Sequence, residues 1–144
     1  MTSELRVDNL KGSTTGGSIN VLSEGTSVTT NLQQGLAKCW VNFNGDSTVA
    51  IRDTQNVGSI TDNGTGDYTV NLSNSMASAD YAPFTSGDSD PSVTAQIPIV
   101  NYKSAGGFAT VDPTTSAFRL AIATNEGTKK DNTYVHASNF GDLA

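Results

Sequence analysis

This 144-residue chain has a single histidine, the residue type that most often serves in both acid–base catalysis and metal binding. Most acid–base and metal sites combine a histidine with further titratable or ligating groups, so one histidine excludes most such designs. His136 lies in a predicted strand over residues 133–140, whose same face also carries Tyr134, Ser138 and Phe140. We therefore expect a packed or rim histidine rather than a catalytic or ligating one.

The single cysteine, Cys39, can form neither an internal disulfide framework nor a multi-cysteine zinc site. It lies on the apolar face of residues 37–44, together with Ala37, Val41 and Phe43. We predict a small buried hydrophobe rather than a nucleophile. The chain also lacks the G-x-S-x-G elbow of hydrolases and the P-loop of nucleotide-binding proteins.

Two acidic loops carry oxygen atoms that could bind Ca²⁺. Residues 62–67 read DNGTGD, and residues 86–90 read SGDSD. The first loop lacks the closing Glu of an EF-hand and the repeat of a β-roll, so we predict a hairpin loop with Asx-type hydrogen bonds. For the second loop we predict a solvated turn, with contact to an ion or a ligand as the alternative.

No two acidic residues form an identifiable pair of the kind that glycoside hydrolysis requires. Every acid except Asp53 and Asp80 lies in the N-terminal segment, near the C-terminus, or in a predicted turn or loop. The sequence therefore predicts a protein that is not an enzyme. We expect no catalytic, cofactor-binding or metal-ligating residues and no cofactor.

The composition predicts an all-β fold. Hydrophobic residues make up 35% of the chain and charged residues only 15%. Ser, Thr, Asn and Gly dominate the remainder; Thr suits a pleated surface, and Asn and Gly suit tight turns. One Trp, five Phe, four Tyr and two Met are few for a self-sufficient core. We therefore expect a partner chain or a larger assembly, which would bury more apolar surface.

The net charge of −6 and the pI of about 4.4 argue against binding to nucleic-acid phosphates. No apolar run approaches the roughly 20 residues that span a bilayer, so we expect no membrane insertion. The N-terminal residues include Glu4 and Arg6 and lack the apolar region of a signal peptide. We expect a product that is made in the cytoplasm and leaves by a route other than secretion, such as the release of virions by lysis.

The chain changes character near residue 37. Residues 1–36 contain only short alternating pieces, none long enough to form a sheet alone, and we expect either a flexible linker or an extended arm that pairs with other chains. Residues 37–144 alternate with the period of two that is typical of strands. An Asn-Gly-rich turn predicts a hairpin of residues 57–61 and 68–72. The further predicted strands are residues 81–84, 93–103, 108–111, 117–124 and 133–140.

The regular spacing of these short strands predicts an antiparallel sandwich or a barrel-like knob. Pro98 interrupts the pattern of residues 93–103 and indicates an edge strand or a bulge. Trp40 lies opposite the apolar face of its strand, so we expect both faces of that strand to meet protein.

The letters KCWVNFNG at residues 38–45 and SITDNGTGDYTVN at residues 59–71 resemble a module that recurs in bacteriophage tail-fibre and related virion proteins, particularly of marine and cyanobacterial phages. Asp80-Tyr81-Ala82 matches a later strand of the module, and Phe140-Gly141-Asp142 looks like its end. The resemblance covers residues 37–84 well and residues 85–142 loosely. It implies a homotrimeric β-rich knob, carried on a stalk and attached to other virion proteins through residues 1–36.

Two functions are compatible with this resemblance. A fibre or fibre-tip protein would contact the host surface, with a glycan as the candidate partner and residues 86–91 and 125–132 as the candidate loops. A capsid decoration or cement protein would stabilise the phage head, with arm and knob holding neighbouring capsomers. A depolymerase is the weakest reading, because no acid pair stands out. In each case the expected location is the virion.

Overall fold

The computed structural model describes residues 4–17, 19–22, 27–88, 96–100, 111–124 and 126–144, with the backbone alone described for residues 96–100. The chain divides into two compact units, Met1–Leu36 and Ala37–Ala144. All regular structure in the described residues is β-strand. The predicted all-β fold class is therefore confirmed.

The first unit contains a small two-stranded antiparallel sheet, β1 (Asn20–Leu22) and β2 (Thr29–Asn31). Asn31 stabilises the end of β2, because its side-chain amide donates to the Gly17 carbonyl at 2.8 Å and its Oδ1 accepts from the Gln33 amide at 2.9 Å. We expected no piece of residues 1–36 to be long enough to form a sheet alone; in the structure two of these pieces pair with each other. The alternation of apolar and polar residues does not show that the Asn31 side chain can stabilise a strand as short as β2.

The described residues of the second unit form two open, four-stranded antiparallel sheets. The first sheet has the order β4-β3-β10-β7, and the second has the order β5-β6-β9-β8. The strands of the first sheet are β3 (Cys39–Asn44), β4 (Ala50–Gln55), β7 (Ala82–Gly87) and β10 (Val135–Phe140). Those of the second are β5 (Val57–Asp62), β6 (Asp67–Leu72), β8 (Gln96–Val100) and β9 (Ala117–Thr124). Neither sheet closes on itself among the described residues, so the sandwich alternative describes the fold and the barrel does not.

One hydrophobic core holds the two sheets together. Alternate residues of each inner strand point into it, as a period of two requires. Phe43 of the first sheet meets Tyr68 of the second edge to face, with ring centroids 5.2 Å apart, and such pairs add to the stabilisation from burial. The other fully or almost fully buried side chains of the strands include Cys39, Val41, Val57, Val70, Phe118, Leu120, Ile122, Val135 and Ala137.

Asn56 forms the corner at which the chain leaves the first sheet and enters the second. It is the single residue between β4 and β5, and its φ of 56° lies in the left-handed region that Asn tolerates better than most residues. Its side chain bonds both sides of the corner: the amide donates to the Lys38 carbonyl at 3.1 Å, and the Oδ1 accepts from the Asn74 amide at 2.7 Å. No pattern in the sequence predicted a corner at Asn56.

Most predicted strands of the second unit occur within two residues of their predicted bounds. The predicted 57–61 and 68–72 hairpin is confirmed as β5 and β6, and residues 117–124 form β9 as predicted. Pro98 lies in β8, an edge strand of its sheet, which confirms the edge alternative. The predicted strand over residues 93–103 is shorter as described, at Gln96–Val100, with its flanks outside the described residues. Residues 108–110 also lie outside them, and Val111 is not in a strand.

Candidate binding surface

The loop of residues 62–67 is the turn of the β5–β6 hairpin, as predicted. Asp62 Oδ1 accepts from the Gly64 amide at 2.8 Å, which is the expected Asx-type bond. Gly64 and Gly66 both have positive φ, 117° and 61°. Among the described residues, no group of three or more His, Cys, Asp or Glu side chains could hold a metal ion.

Asp67 is committed to an ion-pair network that fastens the hairpin to β9 and the following loop. Its carboxylate accepts from Arg119 at 2.5 and 2.7 Å and also from the Lys129 ammonium, and only 4% of Asp67 is exposed. Burial opposes ionisation of this carboxyl, but the hydrogen bonds and charges of Arg119 and Lys129 outweigh it and lower the pKa of Asp67. The network therefore stabilises the fold and leaves this carboxylate unavailable as a ligand or catalyst.

Asp131 fastens the loop after β9 to the same hairpin. Its Oδ1 accepts from the Gly66 amide at 2.6 Å and lies 2.7 Å from the Tyr68 hydroxyl. The Tyr68 hydroxyl also lies 2.7 Å from the Gly45 carbonyl oxygen. Burial, together with the hydrogen bond and charge of Asp131, raises the pKa of Tyr68. The described part of the candidate loop over residues 125–132 is thus bound to the sandwich, and residue 125 lies outside the described residues.

The second acidic loop begins later than predicted. Ser86 and Gly87 are the last residues of β7, because they pair with His136 and Val135 of β10, so the prediction that residue 86 opens a loop was wrong. Asp88 follows the strand, and its Oδ1 accepts from the Tyr134 amide at 3.0 Å. Residues 89–91 lie outside the described residues.

Cys39 and His136 have opposite environments. Cys39 is fully buried, and burial raises the pKa of its thiol to about 11. It is a buried core residue, as predicted. Because its thiol stays protonated, Cys39 is a poor nucleophile. His136 is exposed on the outer face of the first sheet, the side that points away from the core, and shares that face with Ser138 and Phe140.

The outer face of the first sheet carries two neighbouring rows of side chains. In the first row, Ser138 of β10 pairs with Trp40 of β3 on one side and with Phe84 of β7 on the other. The two aromatic side chains are therefore two strand spacings apart, about 10 Å, with a serine between them. Trp40 is 37% exposed and Phe84 is 56% exposed, so both rings are accessible in the single chain.

In the second row, His136 lies between Asn42 of β3 and Ser86 of β7. We call this second row the polar row and the first row, with Trp40 and Phe84, the aromatic row. The polar row lies two residues along the strands from the aromatic row, a distance of about 7 Å. Beyond it, Arg52 packs over the Tyr134 ring at 4.3 Å and donates to Asn42 Oδ1 at 3.4 Å.

Together the two rows line an open groove of about 510 Å³, within the range of roughly 300–1,000 Å³ that is typical of small-ligand sites. We call this feature the outer groove. Its lining side chains and backbone come from Trp40, Val41, Asn42, Phe84, Thr85, Ser86, His136, Ala137 and Ser138. From the sequence we expected Trp40 to lie opposite the apolar face of its strand, with protein on both faces, and His136 to share a face with Ser138. Phe84 was not predicted as their neighbour. That neighbour depends on the pairing of β7 with β10, which joins Phe84 to Ser138, far away along the chain.

No protein-family model, no curated protein and no solved structure matches this chain. Among the described residues, no helix is long and apolar enough to cross a membrane.

Proposed function

We propose that this protein is a structural component of a bacteriophage virion, a homotrimeric fibre or fibre-tip protein that contacts the host surface. The observation that carries the proposal is the resemblance of residues 38–45 and 59–71 to phage virion proteins, together with the strands that the stretch of residues 38–71 builds. This stretch supplies β3 to β5 and most of β6, two strands of each sheet, so the matched letters belong to the scaffold itself.

The chemistry of the described residues supports a role in binding rather than catalysis. Cys39 is buried and protonated, Asp67 is neutralised by two cations, and the Asp131 carboxylate is hydrogen-bonded to Gly66. The accessible side chains of the outer groove are aromatic, amide, hydroxyl and imidazole groups, which suit recognition.

The first unit supports attachment to other virion proteins. Several of its apolar side chains are exposed in the single chain, among them Leu5 at 77% and Leu22 at 63%. Exposed apolar side chains that recur along a segment are typical of surfaces that meet another protein. In the proposed particle this unit joins the knob to neighbouring virion proteins. Trimer formation buries apolar surface in addition to that buried in the core of one chain.

The same exposed side chains favour one second candidate, a capsid decoration protein whose first unit would contact capsomers. Immunogold labelling of purified particles with an antibody against this chain separates the two functions. Label at fibres or their tips supports the first proposal, and label over the capsid supports the second. Particles that carry neither label nor the chain by mass spectrometry would overturn both.

The oligomeric state is tested separately by light scattering on the purified full chain. A trimer of this 15.0 kDa chain has a mass of about 45 kDa, three times the single-chain value. A monodisperse species of one chain across the micromolar range would contradict the proposed trimer.

A further inference from the structure

We infer that the outer groove binds an uncharged carbohydrate, with one sugar ring seated between Trp40 and Phe84 above Ser138. This inference rests on the proposed function, because it names the chemistry of the surface that a fibre tip would contact. It moves the expected recognition site from the loops to the sheet face.

The aromatic row provides a seat for a ring with apolar faces. Trp40 and Phe84 rise from strands on either side of β10, and the small side chain of Ser138 leaves the space between them open. Phe84 is braced by Phe140, whose ring meets it edge to face with centroids 5.8 Å apart. The C–H faces of a pyranose ring are apolar, so they can pack on such rings and displace water from both surfaces.

The polar row provides hydrogen bonds at the edge of that seat. Asn42, His136 and Ser86 follow the aromatic row at about 7 Å, the span of roughly one sugar ring along the strand direction. Sugar hydroxyls must exchange water for protein partners when they are buried, and amide, imidazole and hydroxyl groups can both donate and accept. The contact of Arg52 with Asn42 Oδ1 helps to orient this amide.

The absence of formal charge in the described lining selects among ligand classes. Those residues include no Lys, Arg, Asp or Glu, and the chain as a whole carries a net charge of −6. Arg52 contacts Asn42 at the rim, but its guanidinium already bonds Asn42 and Asn44 and packs on the Tyr134 ring, so a phosphate or an acidic sugar would have to compete for it. A lipid chain would leave the polar row without hydrogen-bond partners. An uncharged carbohydrate matches both rows at once.

Trp40 reports binding directly, because it is the only tryptophan of the chain and lies in the groove. The purified full chain is titrated with maltohexaose, cellohexaose, mannohexaose and galactohexaose, and with oligogalacturonate as the acidic counterpart. We expect at least one uncharged hexasaccharide to change the Trp40 emission saturably, with little dependence on salt, whereas oligogalacturonate does not.

Phe84→Ala keeps the reporter and removes one wall of the seat. Since Phe84 is 56% exposed, this variant should fold. We expect its affinity to fall about tenfold or more, a loss of about 1.4 kcal/mol per factor of ten. Leu143→Ala removes a comparably exposed apolar side chain, 45% exposed and outside the groove lining, and should bind like the unaltered chain.

Three results would overturn the inference: no saturable response to any uncharged hexasaccharide, equal affinity of Phe84→Ala and the unaltered chain, or tighter binding of oligogalacturonate. A Trp40 emission that shifts with protein concentration and ignores sugar would mean that a second copy fills the groove, which also overturns it. Antibody labelling of particles is independent of these titrations. If the antibody labels the fibre but the groove binds no sugar, the carbohydrate inference is refuted and the proposed fibre function stands.

Discussion

Gly66→Ala should destabilise the knob far more than a glycine-to-alanine change usually does. Gly66 has a φ of 61°, where an added Cβ costs about 1 kcal/mol. That Cβ would also lie 2.6 Å from the carbonyl oxygens of Ile122 and Lys130. Both are backbone atoms, so no side chain can rotate away to make room. The clash must be relieved by moving the β6 hairpin away from β9 and its following loop.

That movement lengthens two hydrogen bonds that join Gly66 to β9 and the loop after it. The Ile122 amide donates to the Gly66 carbonyl at 2.8 Å, and the Gly66 amide donates to Asp131 Oδ1 at 2.6 Å. Each bond contributes about 1 kcal/mol. With the conformational term, we expect Gly66→Ala to lower the free energy of unfolding by about 3 kcal/mol.

Gly127→Ala is the matched control. Its φ is 84°, also in the left-handed region, but nothing lies within 4 Å of the added Cβ. It should therefore show only the conformational cost of about 1 kcal/mol. The assay is urea unfolding of both variants, followed by far-UV circular dichroism and by Trp40 fluorescence, which must agree before a two-state free energy is derived. Equal losses of stability in the two variants would refute the claim that packing against Ile122 and Lys130 requires a glycine.

Three further predictions concern residues whose roles the structure assigns. Asp67→Asn should lower stability at pH 7 by about 2 kcal/mol, because it weakens charge-assisted hydrogen bonds to Arg119 and Lys129. Since folding lowers the pKa of Asp67 below its ordinary value of 3.8, its contribution is complete above that value and is lost as the pH falls through the folded pKa. Urea midpoints measured from pH 7 to pH 3 should thus fall less steeply for Asp67→Asn, and parallel pH profiles would contradict this. Asn56→Ala should lower the free energy of unfolding in urea by about 2–3 kcal/mol, because alanine tolerates the φ of 56° poorly and bonds neither Lys38 nor Asn74. Asn56→Gly removes the same two bonds but tolerates this φ, so it should be about 1 kcal/mol more stable than Asn56→Ala. Cys39 should react with a thiol reagent at pH 8 only as fast as the protein opens, because it is buried and its pKa is raised to about 11; labelling at the rate of a free thiol would show that the core is accessible.

The sequence alone was sufficient for the features that depend on near neighbours. Alternation identified β3, and with it the burial of Cys39, because side chains in a strand point alternately to opposite faces. The Asn-Gly-rich turn identified the β5–β6 hairpin, because few residues other than Gly adopt positive φ without strain. Composition identified the all-β class for the same local reasons.

The tertiary structure decided the features that join distant residues. The Asp67 network connects this residue to Arg119 and Lys129, 52 and 62 positions along the chain, and no local pattern marks Asp67 as buried and paired. Asn56 became a corner only because β4 and β5 belong to different sheets.

The outer groove follows the same division. Alternation established from the sequence that Trp40 points away from the apolar face of its strand and that His136 and Ser138 share a side of theirs. Only the order β4-β3-β10-β7 set Ser138 between Trp40 and Phe84. Strand order arises from the packing of the whole core and from long loop closures, which local preferences do not encode. The candidate site is therefore a property of the sheet, although each residue that lines it obeys a local rule.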